Sequence, residues 1–138
     1  MPANTQPIFS SAGDVQWGTS VITTANTAKD GTGTVLTVFT ADTSNGGFVQ
    51  RIRFRSAGTN IATVARVFIN NGLTNTTASN NILWDEITLA ATTLSEVSAL
   101  AVYELPLNFA LPAGYKLNVT LGTTVAAGYY VTVIGGKY

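Results

Sequence analysis

The residues best suited to chemistry in this chain are three arginines at alternate positions, in the run Arg51-Ile52-Arg53-Phe54-Arg55. In a strand, alternation puts Val49, Arg51, Arg53 and Arg55 on one face and Phe48, Gln50, Ile52 and Phe54 on the other. Guanidiniums repeated roughly 7 Å apart make a basic ladder that can pair with carboxylates or phosphates. Three partners compete for it. One is the set of carboxylates on neighbouring strands, Asp85, Glu86, Glu96 and Glu104. Another is the acidic surface of a second protein, because arginine is favoured at interfaces. Nucleic acid is the third and the weakest, since seven basic side chains are offset by seven acidic ones and no second basic cluster supplies a phosphate-neutralising surface.

The other chemistry-bearing groups are sparse. The 138 residues include no histidine and no cysteine, so the commonest neutral-pH proton shuttle and the commonest soft metal ligand are both missing. Triads of the serine or cysteine type and zinc sites of the usual ligand sets are thereby excluded, and the sequence yields no catalytic, cofactor or metal residue. Asp85 and Glu86 are adjacent, so a strand points them to opposite faces and they cannot act as a carboxylate pair. Gly31-Thr32-Gly33 and Gly46-Gly47 read as turns, because neither opens a helix or leads to a P-loop lysine. Trp17, Trp84, Tyr115, Tyr129 and Tyr130 read first as sandwich core and rim, and second as a platform for sugar. Asn75-Thr76-Thr77 and Asn118-Val119-Thr120 match the glycosylation pattern as chance would give it in so Asn- and Thr-rich a chain.

The elements that position these groups have a period of two almost throughout, with β-branched and aromatic residues bounded by Gly, Asn, Asp and Pro. Eight strands are expected, at Asp14 to Thr24, Thr34 to Ala41, Gly47 to Ser56, Thr63 to Asn70, Ile82 to Leu89, Glu96 to Leu105, Tyr115 to Leu121 and Tyr129 to Ile134. No segment has a convincing helical period. The expected fold is all-β, an antiparallel eight-stranded β-sandwich of the jelly-roll kind, in a single domain over residues 13–138. Two segments stand apart: the charge-free loop Asn70 to Asn81, read as a contact loop or a mobile one, and an amino-terminal arm over residues 1–12. Pro2, Pro7, Ile8 and Phe9 suit an arm laid extended on a neighbour, with a disordered tail as the alternative.

Composition bounds the class further. A chain this long can bury a core without disulfides or metal. Its start has no basic and then apolar region of a secretory signal, and Glu96, Glu104 and Lys116 interrupt the most apolar stretch, so no membrane span is expected. Only 10% of residues are charged and the formal net charge is zero. A free monomer of that kind is prone to self-association, which points to a surface covered by other protein.

Three stretches carry a family resemblance. They are Met1-Pro2-Ala3-Asn4-Thr5-Gln6-Pro7-Ile8, the run from Thr24 through Lys29-Asp30-Gly31-Thr32-Gly33 to Val35, and the ending from Leu111-Pro112-Ala113-Gly114-Tyr115 to Gly135-Gly136-Lys137-Tyr138. In these the chain resembles the capsid decoration proteins of tailed bacteriophages, also called auxiliary or cement proteins. The resemblance implies a homotrimer on the outer surface of an icosahedral head, made in the host cytoplasm and seated at threefold positions where major capsid protein subunits meet. It also implies that the arm, Pro2 to Phe9, contributes to the capsid contact. No cofactor, nucleic acid or membrane is called for. A protein that binds only the assembled lattice stabilises that state by mass action, and three weak contacts on one trimer become one strong attachment through effective concentration.

Two other functions fit the sequence less well. A carbohydrate- or receptor-binding module of a phage particle would use exposed aromatics on the same fold, since jelly rolls also host lectins. A hydrolase would have to be built from seven scattered carboxylates.

Overall fold

A computed structural model describes residues 10–138. It has eight strands: β1 (Ala12–Trp17), β2 (Leu36–Thr40), β3 (Gly47–Ser56), β4 (Thr63–Asn70), β5 (Asn81–Leu89), β6 (Val102–Leu111), β7 (Lys116–Leu121) and β8 (Tyr129–Lys137). One short 3₁₀ turn, Ala78–Asn80, precedes β5. The strands form two four-stranded sheets, ordered β1-β8-β3-β6 and β2-β7-β4-β5, with every pairing antiparallel. The first strand pairs with the last, the second with the seventh, the third with the sixth and the fourth with the fifth. That nesting is a long hairpin rolled on itself, the jelly roll, and it confirms the fold class read from the period-two segments.

Alternation builds the core. Val49, Ile52 and Phe54 of β3, with Val131 and Val133 of β8, face Ala65 and Val67 of β4 and Leu117, Val119 and Leu121 of β7, all buried. The two open sides of the sandwich close differently. On one, Gln16 of β1 and Thr40 of β2 exchange two hydrogen bonds: Gln16 Nε2 donates to the Thr40 carbonyl, and the Thr40 N–H donates to Gln16 Oε1, each at 2.9 Å. On the other, Trp84 of β5 packs edge-on against Phe109 of β6.

Several strand limits differ from expectation. The first strand stops at Trp17 instead of Thr24, because the chain leaves the β8 ladder after Gly18, rejoins it only in a single bridge from Ile22 to Tyr129, and then passes to β7 of the second sheet at Ala25. The sixth begins at Val102 instead of Glu96 and runs past Pro106 to Leu111. Since β6 is an edge strand, a proline without an N–H is tolerated where its ladder to β3 is already irregular. The eighth runs beyond Ile134 through Gly135 and Gly136, which lie between β1 and β3 so closely that a side chain there would meet the Phe48 carbonyl or Ser10. The Asn70–Asn81 loop is tied to the chain around it by side-chain amides. Asn75 donates to the carbonyls of Gly31 (3.1 Å) and Gly33 (2.8 Å), and Asn81 donates to the Asn75 carbonyl at 2.9 Å.

The two sheets are dressed unequally. On the outward side of the second sheet, Phe68, Asn118 and Thr120 are buried, so its central strands are covered on both faces, while edge strand β5 is exposed along most of its length. Burial of Asn118 also removes it as a glycosylation acceptor in the folded protein. The outward side of the first sheet is bare.

Candidate interaction surface

The bare face is built by three cross-strand rows. Val15, Ile134, Arg51 and Pro106 stand in register across β1, β8, β3 and β6; Trp17, Thr132, Arg53 and Glu104 form the next row; Tyr130, Arg55 and Val102 form the third. The expected arginine ladder is therefore present, with one correction. Its register slips between Val49 and Arg51 against both neighbours, so Val49 lies fully buried with Ile52 and Phe54 and does not share the arginine face. Against β8 the extra residue is Gln50, exposed in a β-bulge, and against β6 the extra residue lies on β6, where Leu107 and Asn108 stand between Pro106 and Phe109. Without the bulge, one register would have sent either Val49 outward or the arginines inward.

The arginines divide by partner. Arg51 Nε lies 3.6 Å from Glu104 Oε2, an ion pair too long for a hydrogen bond, and that nitrogen has no other partner. Arg53 and Arg55 are exposed and make neither an ion pair nor a hydrogen bond among the described residues. They border an open depression of about 440 Å³ together with Val15, Tyr130, Thr132 and Ile134. The intrachain reading thus accounts for one arginine and leaves two free. Of the other carboxylates proposed as partners, Glu86 pairs instead with Arg66 at 3.6 Å. Asp85 Oδ1 accepts the Glu86 N–H at 2.7 Å, and Glu96 is exposed between β5 and β6.

The aromatic residues divide between core, rim and open face. Tyr129 is fully buried and Tyr115 packs against the core, but Trp17 is 67% exposed, Trp84 49% and Tyr130 58%. Tyr130 stands opposite Arg55 on that open face, and Trp17 lies on the same face with Thr132 between it and Arg53. Indole and phenol rings left in water at those fractions forgo much of the apolar burial that such side chains bring to a core. The period-two pattern could not reveal this, because it sorts residues by face and not by whether the face is covered. Pro2, Pro7, Ile8 and Phe9 of the arm lie outside the described residues.

Among the described residues, no group of three or more His, Cys, Asp or Glu side chains could hold a metal ion, and no helix is long and apolar enough to cross a membrane. No family model, curated protein or solved structure matches the chain.

Proposed function

We propose that this chain is a structural virion protein, a head decoration protein that binds the outer capsid surface as a homotrimer and stabilises the shell by binding rather than by turnover. The bare outer face of the first sheet carries this reading. It combines free guanidiniums with exposed Trp17, Tyr130 and Val15, the arginine and aromatic composition enriched at protein interfaces. In the opposite sheet the central strands are buried on both faces at Phe68, Asn118 and Thr120, whereas no such burial covers the arginine face. The turn and terminal stretches that resemble decoration proteins point the same way, and the arm, Pro2 to Phe9, is the proposed anchor to the major capsid protein.

The test is cosedimentation of the purified protein with heads that lack it. Saturable binding to expanded heads, and none to free capsid subunits, supports the reading; equal affinity for free subunits, or no binding to heads, contradicts it.

Exposure of Trp17 and Tyr130 on the same face as Arg53 and Arg55 favours one other reading, a carbohydrate- or receptor-binding module of a phage particle. Aromatic rings stack on sugar faces, and guanidiniums pair with acidic sugars. A glycan array separates the two: selective glycan binding abolished by Trp17→Ala would replace the decoration role.

A further inference from the structure

The bare face has a shape as well as a composition. Thr132 is the smallest of the side chains at Tyr130, Thr132 and Ile134 that β8 presents there, and across the sheet it stands between Trp17 and Arg53. A small residue set among large ones leaves a basin, and that basin is the depression of about 440 Å³. Its walls differ in chemistry. Arg53 and Arg55 of β3 form one, Val15 of β1 with Ile134 forms the other, and Tyr130 lies across from Arg55.

The cationic wall has no counter-ion from its own chain. Among the described residues, Glu104 is the one side-chain carboxylate in register on this face, and it lies against Arg51 rather than Arg53. Residues 1–9 contain no Asp or Glu, so the arm brings no side-chain carboxylate either. Like charges repeated roughly 7 Å apart along one strand repel each other, and a partner that brings negative charge into the basin relieves that repulsion. The rest of the face narrows what such a partner carries. No lysine or arginine extends the cross-strand rows beyond Arg51, Arg53 and Arg55, so a phosphate backbone, which is held by cations along several phosphates, finds a single contact point. Val15 and Ile134 give no hydrogen bonds to the hydroxyls of a sugar, and hydroxyls left unpaired against them weaken binding. A carboxylate joined to an aliphatic group satisfies both walls, its oxygens on the guanidinium forks and its apolar part on Val15 and Ile134.

We propose that the basin over Thr132 is a pocket for an acidic side chain of the partner protein, an Asp or Glu carried next to an aliphatic residue and held by Arg53 and Arg55. This inference rests on the decoration reading for the identity of that partner, the major capsid protein, and names the chemistry of the contact. The charge steers the encounter and fixes the register of the two surfaces, and the apolar wall keeps water from the ion pair once it has formed.

The experiment is cosedimentation of the full chain, and of three variants, with heads that lack it, at low and high salt. Arg53→Gln with Arg55→Gln should weaken head binding by roughly tenfold or more and reduce its salt dependence. Thr132→Phe fills the basin without changing charge and should weaken binding by a similar factor. Lys29→Gln with Lys116→Gln removes the same charge away from this face and should leave binding within about twofold of the parent. Circular dichroism checks that each variant is folded, and Arg55→Gln alone or Thr132→Leu replaces one that is not. Unchanged binding by either basin variant, or an equal loss with the lysine variant, overturns the pocket, while binding by the parent keeps the decoration reading. A parent that binds no heads overturns the decoration reading, and nuclear magnetic resonance titration with the peptide acetyl-Leu-Glu-Leu-amide then judges the pocket by itself. Movement of the Thr132 and Tyr130 resonances that acetyl-Leu-Gln-Leu-amide does not cause supports it; no movement, or movement with N-acetylneuraminate alone, overturns it.

Discussion

Trp84 on β5 meets Phe109 on β6 with ring centroids 4.8 Å apart and planes inclined at 67°, an edge-to-face contact that joins the two sheets at their open side. The backbone hydrogen bonds of either sheet do not reach across this gap, so side chains must close it. The opposite side is closed by the Gln16 and Thr40 amide exchange, a polar link with fixed geometry. One side of the roll is therefore pinned by hydrogen bonds and the other by a half-exposed aromatic pair.

The aromatic link is measurable by a double-mutant cycle. Trp84→Ala and Phe109→Ala should each lower stability, and their coupling should be about 0.5–1.5 kcal/mol, the usual worth of an aromatic pair beyond area burial. Urea unfolding of the two single variants and the double variant checks it. Additive losses would mean that the contact holds nothing across the gap.

A larger loss is expected at Asn60, buried where the β3–β4 connection meets the segment leading into β8. Its Oδ1 accepts the N–H groups of Ala127 (2.9 Å) and Gly128 (2.8 Å), while Nδ2 donates to Ser56 Oγ and the Gly128 carbonyl, both at 3.0 Å. Asn60→Ala strands these donors and acceptors away from water, and each buried unsatisfied group costs about 1–3 kcal/mol. Chemical denaturation should show a loss of at least about 2 kcal/mol. Ser56→Ala should cost less, because Thr92 Oγ1 also donates to the Gly58 carbonyl, at 2.7 Å.

Stability should fall at both ends of the pH range. Hydrogen bonds from the Thr32 hydroxyl and N–H hold the Asp30 carboxyl below the ordinary 3.8, and the Asn45 and Ser44 N–H groups do the same for Asp42. Lowered folded values contribute stability that is full above the unfolded value and is lost as pH falls through the folded one. The Tyr129 hydroxyl goes the other way, pushed above 10.0 chiefly by burial, so its contribution is full below 10.0 and is lost as pH rises through the folded value. Asp30→Asn with Asp42→Asn should flatten the acid limb of a thermal-midpoint profile, and Tyr129→Phe should flatten the alkaline limb.

The arm predicts a division of labour. Removing residues 2–9 should leave a folded trimer that no longer decorates heads, because the prolines lower the cost of ordering an extended anchor and Ile8 and Phe9 supply its apolar grip. Sedimentation together with head binding checks it. Unchanged occupancy, or dissociation into monomers, would contradict it.

Much of the fold was legible because period-two segments and their turns fix strand number and face, and the arginine ladder was found at Arg51, Arg53 and Arg55 for that reason. Its neighbour Val49 was misplaced because a bulge at Gln50 costs one residue of register and leaves no mark in composition. Pro106 and the pair Gly135 and Gly136 looked like strand ends. Each is tolerated by its place in the sheet, an edge for the proline and a close backbone approach for the glycines. Trp17, Trp84 and Tyr130 looked like core because an exposed aromatic and a buried one share the same alternation.

Cryo-electron microscopy of heads with and without this chain is the decisive measurement of the decoration role. A trimeric decoration protein should give three-lobed density of jelly-roll domains on the outer surface at threefold positions, present only in particles carrying the protein and reaching the shell through the amino-terminal segment. Density inside the shell, density confined to the tail, or identical maps from the two preparations would contradict it.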